Sequence, residues 1–155
     1  MRVTASDAAV AVEAALAATV LEAVGRFAWS GPYVPELMAQ KLFALLPPWA
    51  FTPLLRVFGY NAKYHAFAGM IAVEVGSLTL VGAVLRGWMR GRRLVPRIVV
   101  AVATGALALL VVAVLLPLLD AGVCGQALPG GPWVVVPTFV VVMGCYAAVL
   151  TRRTT

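Results

Sequence analysis

The sequence predicts an all-α integral membrane protein: four transmembrane helices, with an external interfacial helical segment between spans one and two. Three observations carry the prediction. Of the 155 residues, 63% are hydrophobic and 12% charged, and mean hydropathy is +0.98. A soluble chain of this length cannot bury so much apolar surface, whereas lipid accepts it. Four apolar runs, at about 8–28, 64–85, 96–118 and 133–151, each approach the roughly 20 residues that a helical crossing needs. Between the second and third lies RGWMRGRRLVPR, residues 86–97, with five of the chain's 12 basic side chains. Arginine concentrated in a short loop beside membrane spans marks the cytoplasmic side. The whole chain, 1–155, is read as a single membrane domain.

The first span, AAVAVEAALAATVLEAVGRFA, is alanine-rich and carries Glu13 and Glu22, which makes it the least apolar of the four. In lipid the backbone must satisfy its own hydrogen bonds, so helix is favoured here and in the Val-rich third span. Glu13 and Glu22 are nine residues apart and point to opposite sides of one helix, so no paired-carboxylate site is expected from them. Asp7 and Glu13 interrupt what would be the apolar part of a signal peptide, and Arg2 is the only early basic residue. The N-terminus is therefore read as retained.

Alternation from the Arg-rich loop places both termini in the cytoplasm and 29–63 and 119–132 outside. Arg152 and Arg153 agree with this; Arg56 and Lys63 run against it. Arg90, Arg92 and Arg93 are expected to anchor the internal loop to anionic headgroups. A net charge of +6 and a pI near 10.0 would suggest nucleic acid in a soluble domain. Here the charge sits in connecting segments, so headgroups account for it and no nucleic-acid partner is expected.

The external 33–58 segment is apolar but broken by Pro35, Pro47, Pro48 and Pro53, so no continuous crossing fits. Leu37, Phe43 and Leu45 alternate with Gln40 and Lys41 at near-helical spacing. Pro35 and Glu36 suit a first turn, and Pro47–Pro48 ends the helix. A second short helix or turn is expected around 51–58, and Gly59 and Asn61 then turn the chain into span two. Trp29, Tyr33, Trp49 and Tyr60 suit headgroup depth. Leu37, Phe43, Trp49 and Phe51 are candidate contacts for a protein partner. The alternative is a connector that lies on lipid.

Glu74, near the middle of span two, is expensive in lipid and wants a partner; the sequence shows no second mid-membrane acid beside it. Interhelical hydrogen bonding, proton transfer and quinone contact all use such a residue. His65 and Tyr64, at the outer end of the span, complete a quinone-contact candidate set with Glu74. A single histidine supplies neither bis-histidine haem ligation nor an ordinary zinc site. Gly69, Ala72, Gly76 and Ala83 on span two, and Ala101 with Gly105 on span three, form narrow faces that suit close helix approach. Gly69, Gly76 and Gly105 are the interface candidates among them. Pro117 and Pro137 are expected to perturb spans three and four locally. The stretch 124–132, CGQALPGGP, reads as a turn without regular structure. Cys124 and Cys145, near opposite sides of the membrane, are too separated for a disulfide. No Walker loop, dinucleotide fingerprint, serine elbow or paired-cysteine metal motif is present, so no catalytic residue, metal or resident cofactor is assigned.

PELMAQKLFALLPPWAF followed by RVFGYNAKYHAFAGM, within about residues 30–90, resembles the N-terminal transmembrane region of bacterial molybdopterin-dependent oxidoreductases of the sulfite-oxidase-like class. Pro35, Glu36, Leu37, the run Leu45–Leu46–Pro47 and Phe58–Gly59–Tyr60–Asn61 carry the resemblance. It implies a multi-pass protein of the bacterial plasma (inner) membrane. It also implies an exported catalytic domain, which no segment here matches. The expectation is a non-catalytic membrane anchor or accessory subunit of an electron-transfer assembly, respiratory or photosynthetic. Its partners would be the lipid bilayer and larger membrane-complex subunits, or an absent C-terminal exported domain. The alternatives are the quinone-coupled membrane region of such an oxidoreductase and a small transporter.

Overall fold

The computed structural model describes residues 4–89 and 96–152. Among these, all regular structure is helical. Four helices are long and apolar enough to cross a membrane: Ala5–Trp29, Ala62–Met89, Ile98–Leu118 and Gly131–Thr151. The chain is a multi-span membrane protein.

α1 (Ala5–Trp29) begins at a capping box, in which the Thr4 hydroxyl accepts the Asp7 N–H while the Asp7 carboxylate accepts the Thr4 N–H. Its buried stripe of Ala11, Ala14, Ala15 and Ala18 is completely covered. Alanine lets neighbouring backbones come close, so α1 packs against both α4 (Ala62–Met89) and α7 (Gly131–Thr151). The span least apolar in sequence is thus the inner helix: Asp7, Thr19 and Glu22 face protein, while Glu13 on the other side is exposed.

α5 (Pro96–Leu110) packs against α7 and continues through a π turn, Val111–Leu115, into α6 (Leu116–Leu118). Pro117 lacks an N–H for the carbonyl four residues earlier, and the π turn takes up that mismatch. One core joins the alanine stripe to Leu78, Val100, Val142, Tyr146 and Leu150; a second joins Val34, Val112, Leu116, Val135 and Phe139.

The interfacial segment forms two helices, α2 (Val34–Leu45) and α3 (Pro48–Phe58). α2 lies on α4 with Val34, Pro35 and Ala39 buried. Gly59, at φ +58, ends α3, and one 3-10 turn, Gly59–Asn61, leads into α4. The 124–132 stretch includes a 3-10 turn at Val123–Gly125, and α7 already begins at Gly131.

Three sequence expectations need correction. α4 does not stop at 85 but runs to Met89, so Arg86 belongs to the bundle and not to the loop. Its guanidinium is 8% exposed, lies 3.4 Å from Asp7 and donates to the Leu150 carbonyl at 2.5 Å. It thereby ties the start of α1 to the ends of α4 and α7. Tyr33 is buried against protein and does not face lipid headgroups, because the 31–35 segment packs into the bundle. Gly69, Gly76 and Gly105 are exposed, and an added Cβ at each would meet no atom of the described residues within 4 Å. The close approach is at Gly82, where an added Cβ would meet the Tyr146 hydroxyl at 2.8 Å and the Ala11 Cβ at 3.0 Å. Arg90, Arg92 and Arg93 lie outside the described residues.

Candidate functional site

The most developed polar site lies between α1 and α4. These helices run antiparallel, with Asp7 opposite Arg86 and Ala11 against Gly82. That register brings the Glu22 and Glu74 carboxyls beside each other on the facing sides of the two helices. Glu22 is 1% exposed and Glu74 9%. A Glu22 carboxylate oxygen also accepts the Val34 N–H at 3.3 Å, so the first turn of α2 points a backbone donor into the site.

The pair corrects the expectation that Glu74 has no acid beside it. The sequence does place Glu22 and Glu13 on opposite faces of α1, as observed. Which face meets span two, and at what register, is a tertiary property that spacing within one helix does not carry.

Around the pair some polar atoms stay unmatched. Thr19 Oγ1 and Glu74 Oε2 are buried with no hydrogen-bond partner among the described residues. Thr19 lies one turn before Glu22 on the same face of α1. Thr79 Oγ1 is likewise unpartnered but sits five residues beyond Glu74, on a different face of α4.

Towards the α2–α3 end, Tyr33 follows. Its ring packs edge-on against Phe67, with centroids 5.7 Å apart. Burial first, and then the carboxyls of Glu74, Glu22 and Glu36, push the Tyr33 phenol above its ordinary range. Beyond it lies a cavity of about 500 Å³ lined by Ala23, Arg26, Phe27, Tyr33, Glu36 and Phe67. Arg26 closes its rim with a two-pronged pair to Glu36, Nε–Oε2 2.7 Å and Nη2–Oε1 3.1 Å. The sequence reading assigned no role to Arg26. Its position four residues after Glu22 was the available signal.

The quinone-candidate residues do not share a site. His65 and Tyr64 are exposed, with His65 against Phe58 at 5.3 Å and Lys63 over the Tyr64 ring at 4.9 Å. Glu74 lies nine residues further along α4, about 13 Å at the helical rise, on the buried face. Of the partner candidates, Trp49 is 78% exposed and Phe43 half-buried, whereas Leu37 turns inward against the second core. Phe51 lies in α3. Gly105 lines an apolar groove of about 480 Å³ between α5 and α7. Asp120 is exposed and pairs with Lys41, fastening α2 to the turn after α6. Cys124 and Cys145 are free thiols.

No group of three or more metal-ligating side chains occurs among the described residues. Compared with protein-family models, curated proteins and solved structures, the chain matches none.

Proposed function

We propose that the chain is a non-catalytic membrane anchor or accessory subunit of an electron-transfer assembly, oriented with α2 and α3 on the outer side. The observation that carries this reading is α3. It packs against the following turn and α4, and among its described side chains Trp49, Leu55, Val57 and Phe58 are exposed. Exposed apolar surface on a segment outside the spanning helices suits a protein partner. The resemblance of residues 30–90 to the membrane region of molybdopterin-dependent oxidoreductases supplies the class of partner. A photo-crosslinking residue at position 49, in native membranes, is expected to capture one larger polypeptide that carries a redox cofactor. Crosslinks to lipid alone would contradict the reading.

A second reading, the quinone-coupled membrane region, has one observation in its favour: the aromatic-walled cavity of Tyr33, Phe67 and Phe27, whose Tyr33 feels the charges of Glu74 and Glu22. Quinone co-purifying with the wild-type chain and lost with Glu74→Gln supports it. Retention of quinone in that variant sinks it.

A further inference from the structure

Asp7, Glu22 and Glu74 are buried in the spans, and only Asp7 has a cationic partner, Arg86. Glu22 and Glu74 lie in no ion pair among the described residues. Two carboxyls side by side in a low-dielectric interior cannot both stay ionised, so the pair holds at least one proton. With one proton the pair keeps one negative charge, and in a lipid-surrounded interior that charge calls for a positive neighbour.

The surrounding atoms indicate its nature. Thr104, Thr138 and Thr151 turn their hydroxyls onto carbonyls of their own helices, the usual resting place in a span. Thr19, 6% exposed, does not, and its Oγ1 stays unpartnered on the face that carries Glu22. Glu74 Oε2 is unpartnered as well. The offered atoms are all oxygen, with no imidazole or thiol among them, and oxygen-only sets take hard cations. With one proton retained, charge balance admits one further single charge.

We propose that Glu22, Glu74 and Thr19 form an intramembrane binding site for a monovalent cation, either a proton or an alkali-metal ion. The occupant enters past Tyr33 from the cavity at the α2–α3 end. The proposal does not depend on the accessory-subunit reading. The other charged and titratable groups on this side are Tyr33 and Glu36 from the α2 segment and Arg26 from α1, the last two engaged with each other. Away from the cavity, α7 contributes Tyr146, whose hydroxyl donates to the Leu78 carbonyl, one turn beyond Glu74.

The test is infrared difference spectroscopy of the full chain in nanodiscs of phosphatidylethanolamine and phosphatidylglycerol. Choline chloride or sodium chloride is the only salt. In choline chloride at neutral pH, a protonated-carboxyl C=O band is expected that shifts on transfer to D₂O. It is weakened or displaced in Glu22→Gln and Glu74→Gln and unchanged in Glu36→Gln. Comparison between variants cancels the contribution of Glu13. Thr19→Val, which keeps the shape of the side chain, is expected to move the pH midpoint of the band while helical content stays constant. Weakening or displacement of the band on adding sodium, with release of one proton per chain, assigns the alkali-metal ion. A band indifferent to sodium assigns the proton. A band of equal strength and position in both Gln variants, one that never shifts in D₂O, or no wild-type band would overturn the proposal.

Discussion

At the scale of single residues, the sharpest distinction is between the three buried acids. Asp7 is fully engaged by Thr4 and Arg86, so the Asp7–Arg86 pair is structural. Removing one member of a buried pair strands the other charge, which typically costs about 3–5 kcal/mol. Arg86→Met is therefore expected to lower the unfolding midpoint in detergent sharply, and the double change Asp7→Asn with Arg86→Met to recover much of the loss. If the single and double variants unfold alike, the pair is not the fastening described here. Arg86 also shows where reading by composition fails. In the sequence it counts with the loop arginines, because nothing local marks that the helix runs on through Gly87 to Met89. Its partner is 79 residues away. Glu74 was legible as a costly intramembrane acid, but its neighbour Glu22 was not, since α1 seen alone offers two acids and no indication of which one faces inward.

At the scale of elements, the four spans and the two interfacial helices were readable because bilayer thickness and proline fix lengths and breaks locally. The observed helices match the expected runs apart from extended ends, notably α4 by four residues at its C-terminal end, where it continues from 85 to Met89. Helix-to-helix fit was not readable. Small residues were correctly sought at the contacts, yet Gly69 and Gly76 lie on the outer face of α4 and Gly82 on the inner. Each turn of a glycine-bearing span offers several such faces, and only the partner selects one. Gly82→Val forces a branched side chain against Tyr146, Ala11 and Leu150, and is expected to destabilise by about 1–3 kcal/mol. Gly76→Ala meets open space and removes a helix-interior glycine, with an expected gain of about 0.5–1 kcal/mol. Denaturant unfolding of both variants checks the pair of values. Equal effects would show that Gly82 is not the point of close approach.

At the scale of the whole molecule, a bundle fastened at one end by Arg86 carries the α2–α3 platform at the other. At the platform end, Arg26–Glu36 and Lys41–Asp120 secure α2, while α3 exposes Trp49, Leu55, Val57 and Phe58. That division suits an anchor: one end fastened by a buried ion pair, and an exposed apolar face on α3 at the other. The arginine cluster gives an expected orientation, whereas the identity of the partner has no signal in one chain beyond the resemblance of residues 30–90. The central claim, that this chain serves a larger electron-transfer assembly, is tested most directly by native mass spectrometry of the protein gently solubilised from its own membrane. The account predicts a mass exceeding that of the chain and lipids, with a larger redox-cofactor-bearing polypeptide released on activation. A mass equal to the chain and bound lipid alone would contradict it.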